Sequence, residues 1–396
     1  MLVKNKHRLT YCTNIHPGVD WATTFTSLKN YVPEIKQGVS ATKPFGLGLR
    51  LSNKASLQLN ESDNLSEFKQ WLEANDLYVF TMNGFPYGNF HNERVKDMVH
   101  APDWTTQDRV DYTKRLFEQL AILLPNGMSG GISTSPISYK HWHETKNAQH
   151  TTLKKGAENL AEIILHLYKI ERETGKYLHL DIEPEPDGLL ENSEEVVAFF
   201  QNYLLQYAIP RLGENLGNDI DLPALIYRYI TVCYDICHFS LAYEEPHDTF
   251  KRLKDAGIRI GKIQVSAALK IISNEEGNEE VWEALETFNE PTYLHQVTEL
   301  KNGKVITYND LPIVLDKKNN FKELRAHYHV PIFLERFGSL HSTQDHILKV
   351  IDIITKEDIS EHLEIETYTW EVLPKELKRD LTESIGRELN WLVEKL

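Results

Sequence analysis

His179-Leu180-Asp181-Ile182-Glu183-Pro184-Glu185-Pro186 reads as a strand that ends in carboxylates and is stopped by prolines. Alternate side chains of a strand share a face, so His179, Asp181 and Glu183 point the same way. That face carries more charge than an ordinary core accepts, because an ionised carboxylate is almost never buried without a partner. Pro184 cannot donate to a sheet ladder and ends the strand, which leaves Glu183 at its C-terminal tip. In parallel α/β architectures that tip is where chemistry is placed. An edge strand with a solvated polar face is the competing reading, and the rest of the chain decides between them.

Working outward, strand-like runs alternate with helical ones. Leu9 to Asn14, Phe45 to Leu51, Leu77 to Asn83, Ser129 to Pro136, Ile230 to Asp235, Ile258 to Ser266 and Leu363 to Tyr368 join the opening stretch as strands. Helices are expected over Trp21 to Lys36, Asn64 to Ala74, Thr105 to Leu124, Thr151 to Thr174, Ser193 to Leu212, Pro246 to Ala256 and Pro374 to Lys395. Eight strands separated by helices argue for a parallel sheet, and eight such units close into a (β/α)8 TIM barrel. The segment of about 270–360 is far longer than one helical return. It carries two further strand-like runs, Tyr293 to Val297 and His327 to Phe333, and reads as an insertion between strands seven and eight. With no low-complexity linker and no repeat, 1–396 reads as a single domain.

Composition narrows the function. Hydrophobic residues make up 41% and charged residues 26%, ordinary for a globular protein. No apolar run reaches the ~20 residues that span a membrane, and the N-terminal stretch has no signal-peptide core. A cytoplasmic location is the resulting expectation. The net charge of −15 disfavours nucleic acid as a partner. The three cysteines, Cys12, Cys233 and Cys237, form neither a Cys-x-x-Cys pair nor an even set for a disulfide framework.

The late strand tips carry the chemistry. Strand five offers Glu183; strand six offers Asp235 and, three residues on, His238. Strand seven offers Lys262 and Gln264 on one face, and strand eight Glu364 and Glu366. Carboxylates and a histidine from separate strand ends suit a divalent cation of hard or borderline character. Two opposed carboxylates can also move protons. Asn14, His16 and Asn83 follow strands one and three and are candidates to line a pocket, or are turn residues. Arg50 is a candidate clamp for an anionic group, or a partner for a barrel carboxylate. His295, His327 and His329 sit in the insertion, as further ligands or as a polar seam.

These residues resemble the xylose-isomerase-like superfamily of TIM barrels, which includes sugar isomerases and epimerases. The resemblance implies a metal-binding Glu followed by Pro on strand five, matched by Glu183-Pro184. It implies Asp-x-x-His on strand six, matched by Asp235-Ile236-Cys237-His238, and a second metal-binding Glu on strand eight, matched by Glu366. It also implies a histidine ligand on strand seven, where Gly261-Lys262-Ile263-Gln264 stands and Lys262 takes the expected place. A lysine ammonium donates only and holds no metal. Either an insertion histidine (His295, or His327 and His329 on one shared face) completes the site, or Lys262 replaces the ion and polarises a substrate oxygen.

Longer strings, among them Thr10-Tyr11-Cys12-Thr13-Asn14-Ile15-His16-Pro17-Gly18 and Asn83-Gly84-Phe85-Pro86-Tyr87-Gly88, resemble the EboE family, known as metabolite traffic proteins of bacterial ebo clusters. That resemblance implies a secondary-metabolite context and contact with other proteins of the pathway.

The expected function is therefore an isomerase or epimerase of a polyhydroxylated carbonyl compound, a sugar or keto-cyclitol. Glu183, Glu366, Lys262 and His238 would be catalytic. Asn14, His16, Arg50, Asn83, Gln264, His295 and Glu364 would bind substrate. Glu183, Asp235, Glu366, His327 and His329 would hold Mn, Mg, Zn or Co. The alternatives are a non-catalytic metabolite-binding protein and, more weakly, a metal-dependent phosphoester hydrolase.

Overall fold

The computed structural model describes residues 1–88, 96–217, 219–274, 277–290, 293–367, 370 and 380–396. Eight parallel strands form the barrel: β1 (His7–Tyr11), β2 (Phe45–Arg50), β3 (Leu77–Asn83), β4 (Gly130–Thr134), β5 (Leu178–Ile182), β6 (Ile230–Asp235), β7 (Ile260–Val265) and β8 (His362–Ile365). Each pairs with its sequence neighbours from β2 to β8, and β8 pairs with β1. A short strand, Leu2–Val3, runs antiparallel beside β1.

The seam between β1 and β2 is closed differently. A single bridge joins Cys12 to Gly48. The Thr10 hydroxyl donates to the Gly46 carbonyl at 2.7 Å and accepts from the Gly48 N–H at 3.1 Å, standing in for the missing ladder.

The barrel interior is polar over much of its height. Asp181, Lys262, Gln264 and Glu364 are all fully buried. Glycines make the room. A Cβ on Gly48 would lie 1.9 Å from the Glu364 carboxylate, and one on Gly261 1.9 Å from that of Asp181. The apolar core instead lies between the strands and the outer helices.

Those helices start where the chain supplies caps. Asp20, Thr106 and Thr145 each accept a backbone N–H at the start of Trp21–Ser40, Gln107–Leu123 and Lys146–Thr174. The last ends at Gly175 in the left-handed region.

After β7, Ser266 alone separates the barrel from a second, antiparallel sheet. Ala267–Ile272, Val297–Lys301, Lys304–Tyr308, Glu323–Val330, Arg336–Phe337 and Leu340–Ser342 build it. This trims the expected insertion. It begins at 267 and its sheet ends at 342, because the helix Gln344–Lys356 is the barrel's own return before β8. Its strands are also displaced from the expected runs: 293–296 is irregular, and the strand read as His327 to Phe333 starts at Glu323 and stops before Pro331. Strand eight ends at Ile365; Tyr368 lies outside the described residues, as do 374–379 at the start of the expected last helix. That helix is described over Leu381–Lys395, capped by Asp380. No described helix is long and apolar enough to cross a membrane.

Candidate metal centre and active site

Glu183 leaves β5 one residue past its end, Asp235 is the last residue of β6, and Glu366 follows β8 directly. One carboxylate oxygen from each lies within 4.8 Å of the others. Gln264, on the inward face of β7, gathers them. Its Nε2 donates to Glu183 Oε1 and Asp235 Oδ2 at 3.0 Å each, and to Glu366 Oε2. An amide nitrogen carries two hydrogens. Three carboxylate oxygens therefore share two donors, and Glu183 Oε2 has no hydrogen-bond partner among the described residues. Asn14 and Asn83 each donate to Glu366 Oε1, at 2.6 and 2.8 Å. Ser266 donates to Asp235 Oδ1 at 2.7 Å. The same Oδ1 caps the helix Ile236–Leu241 by accepting from the His238 N–H.

The electrostatics follow from this crowding. Burial, and after it the Asp235 carboxylate, pushes the Glu183 carboxyl well above the ordinary range. Burial, then Glu183 and Asp235, does the same to Glu366. Burial works against charged Asp235 too, but His238, His329, Ser266 and the capping N–H outweigh it and hold that carboxyl low. One carboxylate is kept ionised while two favour a proton, so the cluster as a whole seeks positive charge. An oxygen-rich set of this kind, with an orphaned carboxylate oxygen, fits a divalent cation.

Above the carboxylates lies a pocket of about 630 Å³, its mouth included. Asn14, Asn83, Glu183, His238 and Glu366 line its barrel side, and Tyr293, Leu294, Gln296, His327 and His329 its insertion side. His329 Nδ1 meets the Glu366 backbone carbonyl at 2.8 Å. Burial drives its imidazole down to about 4, so it is neutral near pH 7. His238 and His327 face each other through Nε2 at 3.1 Å.

No family model and no curated protein matches the sequence, so the EboE resemblance rests on the sequence strings alone. Among solved structures the chain is similar to a xylose isomerase-like TIM barrel protein from Mycobacterium smegmatis in complex with magnesium. The identity is 9% and the TM-score 0.52, over 100% of this chain and 98% of that one. The likeness is one of fold: the chain is a (β/α)8 TIM barrel. A D-tagatose 3-epimerase-like protein (10% identity, TM-score 0.49, 98% and 96% of the two chains) is also similar. So is the IOLI protein with a bound zinc atom (11%, 0.47, 98% and 97%).

Five expected site residues lie elsewhere. Lys262 and Glu364 do not reach the pocket. They pair with each other at 3.0 Å, fully buried, with Lys262 also donating to Ser133 at 2.9 Å. Their side chains share a face with Gln264 and Glu366 but leave their strands earlier, so they sit deeper in the barrel. Gln264, rather than Lys262, stands at the carboxylates. His16 bonds Tyr11 Oη at 2.9 Å and stacks on Tyr31, away from the pocket. Arg50 donates to the backbone carbonyls of Gly18 and Gly88, clasping two loops rather than an anion. His295 stacks on Tyr328 and bonds Glu290 at 2.6 Å inside the insertion.

Nine residues lining the pocket were not among the expected site, Glu185, His100 and Gln296 among them. The Glu185 carboxylate meets His100 Nε2 at 3.0 Å. His100 lies in a short 3-10 turn and Gln296 in an irregular segment, and neither carries a sequence signal.

Proposed function

We propose that the chain is a metal-dependent isomerase or epimerase of a polyhydroxylated carbonyl compound, a sugar or keto-cyclitol. The observation that carries this is the meeting of three carboxylates from three strand tips on the single amide of Gln264, at the floor of a pocket sized for a small molecule. Glu183, Asp235 and Glu366 would hold the ion. Gln264 can join them by turning its amide oxygen inward, and His329 stands close by. A bound divalent cation supplies Lewis-acid polarisation of a carbonyl and its neighbouring hydroxyl.

The chain's own groups supply the rest. Glu183 and Glu366 approach the floor from different strands. They are placed for one to remove the proton beside a carbonyl and the other to return it. Asn14 and Asn83 hold Glu366 in place through its Oε1. His238 lines the pocket beside them. Phe85, Pro86, Val99 and Leu294 form an apolar wall that excludes water above the reacting carbons.

A place in an ebo-type secondary-metabolite pathway is the finer form of this reading and rests on the sequence strings. The test is exchange of solvent deuterium into a panel of ketoses and keto-cyclitols by metal-loaded protein. Glu183→Gln and Glu366→Gln should each abolish it. Absence of exchange in the wild type across the panel overturns the catalytic reading.

A further inference from the structure

His238 Nδ1 faces the Pro184 carbonyl at 3.0 Å, and a carbonyl only accepts, so Nδ1 carries hydrogen. His327 Nδ1 faces Gln296 Oε1 at 2.9 Å. The Gln296 amide is fixed in that sense because its Nε2 donates to the Pro186 carbonyl at 3.2 Å. His327 Nδ1 therefore carries hydrogen as well. In two neutral imidazoles so anchored, both Nε2 atoms are bare, and here they confront each other at 3.1 Å. Two lone pairs at that distance repel unless a cation lies between or beside them. Two nitrogens on a tetrahedral zinc ion sit roughly 3.3 Å apart, close to the observed separation. A carboxylate oxygen of Glu185 lies within 4.8 Å of both histidines' ligand atoms, and all three residues line the pocket.

We infer that Glu185, His238 and His327 form a second divalent-cation site, of borderline type, beside the carboxylate site and distinct from it. Its donor set is two nitrogens and one oxygen, which suits zinc better than magnesium. The fourth position opens to the pocket. His100 Nε2 lies 3.0 Å from Glu185 Oε1. Glu185 and His238 come from the barrel and His327 from the insertion's strand Glu323–Val330. The ion therefore ties the insertion to the barrel as well as offering a ligand position to substrate.

The experiment is metal stoichiometry on chelator-stripped protein reloaded with zinc and dialysed. Hydrogen exchange of 323–330 is followed with and without zinc. The wild type should retain two ions per chain, and His327→Gln and Glu185→Gln one each. Zinc should slow exchange in 323–330 in the wild type but not in those two variants. The double variant Glu183→Gln/Glu366→Gln should also retain one ion and keep the zinc-dependent protection. A wild-type content of one ion, lost in that double variant, overturns the inference and leaves the proposed function standing, with a shared proton holding the histidine pair. One wild-type ion that is lost in His327→Gln and kept in the double variant overturns the carboxylate site instead. If His327→Gln does not fold, Glu185→Gln carries the comparison, since the histidine pair is intact there. Two ions retained in a folded Glu185→Gln, with zinc still protecting 323–330, refutes the assignment.

Discussion

Lys262→Met should cost the protein about 3–5 kcal/mol of stability, the usual loss when one partner of a buried ion pair is removed. Lys262 and Glu364 are each 0% exposed and 3.0 Å apart. Methionine fills the volume but leaves the Glu364 carboxylate buried without its cation. One of its oxygens, Oε2, already lacks a hydrogen-bond partner among the described residues. Gly48 crowds that oxygen, so the carboxylate has no room to escape. Lys262→Met/Glu364→Gln removes the orphaned charge and should recover at least half of the loss, a coupling of about 2 kcal/mol or more. Urea unfolding followed by tryptophan fluorescence measures all four corners of the cycle. A single-variant cost below about 1 kcal/mol, the level of an exposed pair, refutes the structural reading of Lys262. A folded double variant that no longer binds metal refutes it equally, by putting Lys262 back in the site.

Glu388 gives a pH prediction. It accepts from Thr367 at 2.7 Å and from the Ile332 N–H at 3.1 Å, and burial pushes its carboxyl up to about 7. A carboxyl raised on folding contributes fully below its unfolded value near 4.5, and the contribution is lost as pH rises through 7. Unfolding midpoints should show up to about 3 kcal/mol of stability lost from this group between pH 5 and pH 8.5, and Glu388→Gln should remove that part of the pH dependence. Identical profiles in the two proteins would contradict it. Thr10→Val should loosen the barrel seam by about 1–3 kcal/mol, because the Gly46 carbonyl and Gly48 N–H each lose a buried partner. Faster hydrogen exchange confined to β1 and β2 would confirm the site of the loss.

The barrel was legible because its signals are local: apolar strand runs, helix caps and proline stops repeat at each unit. Alternation along β5 and β8 put Glu183 and Glu366 on inward faces, and the structure brings both together with Asp235. Depth was not legible. A period of two says which face Lys262, Gln264, Glu364 and Glu366 share, but not which pair clears the rim. A shift of one inward position separates a core ion pair from a pocket floor. His16, Arg50 and His295 were misplaced for a related reason. Each is a polar group held by partners that no spacing announces: a hydroxyl and a ring for His16, two backbone carbonyls for Arg50, a carboxylate and a ring for His295. Glu185, His100 and Gln296 reach the pocket through irregular backbone, where periodicity carries no information.

The one-residue junction between barrel and insertion has a consequence for how such a protein can diversify. Chemistry sits on the floor, supplied by strands whose ends are fixed by the barrel. Most of one wall belongs to the insertion, which can change its loops without disturbing the three carboxylates. Yet the junction residue, Ser266, also holds Asp235 and receives the Cys237 N–H at 3.0 Å. A new wall can be grafted here only if it leaves that serine where it is, so the freedom to acquire new substrates is tethered to the floor by a single hydroxyl.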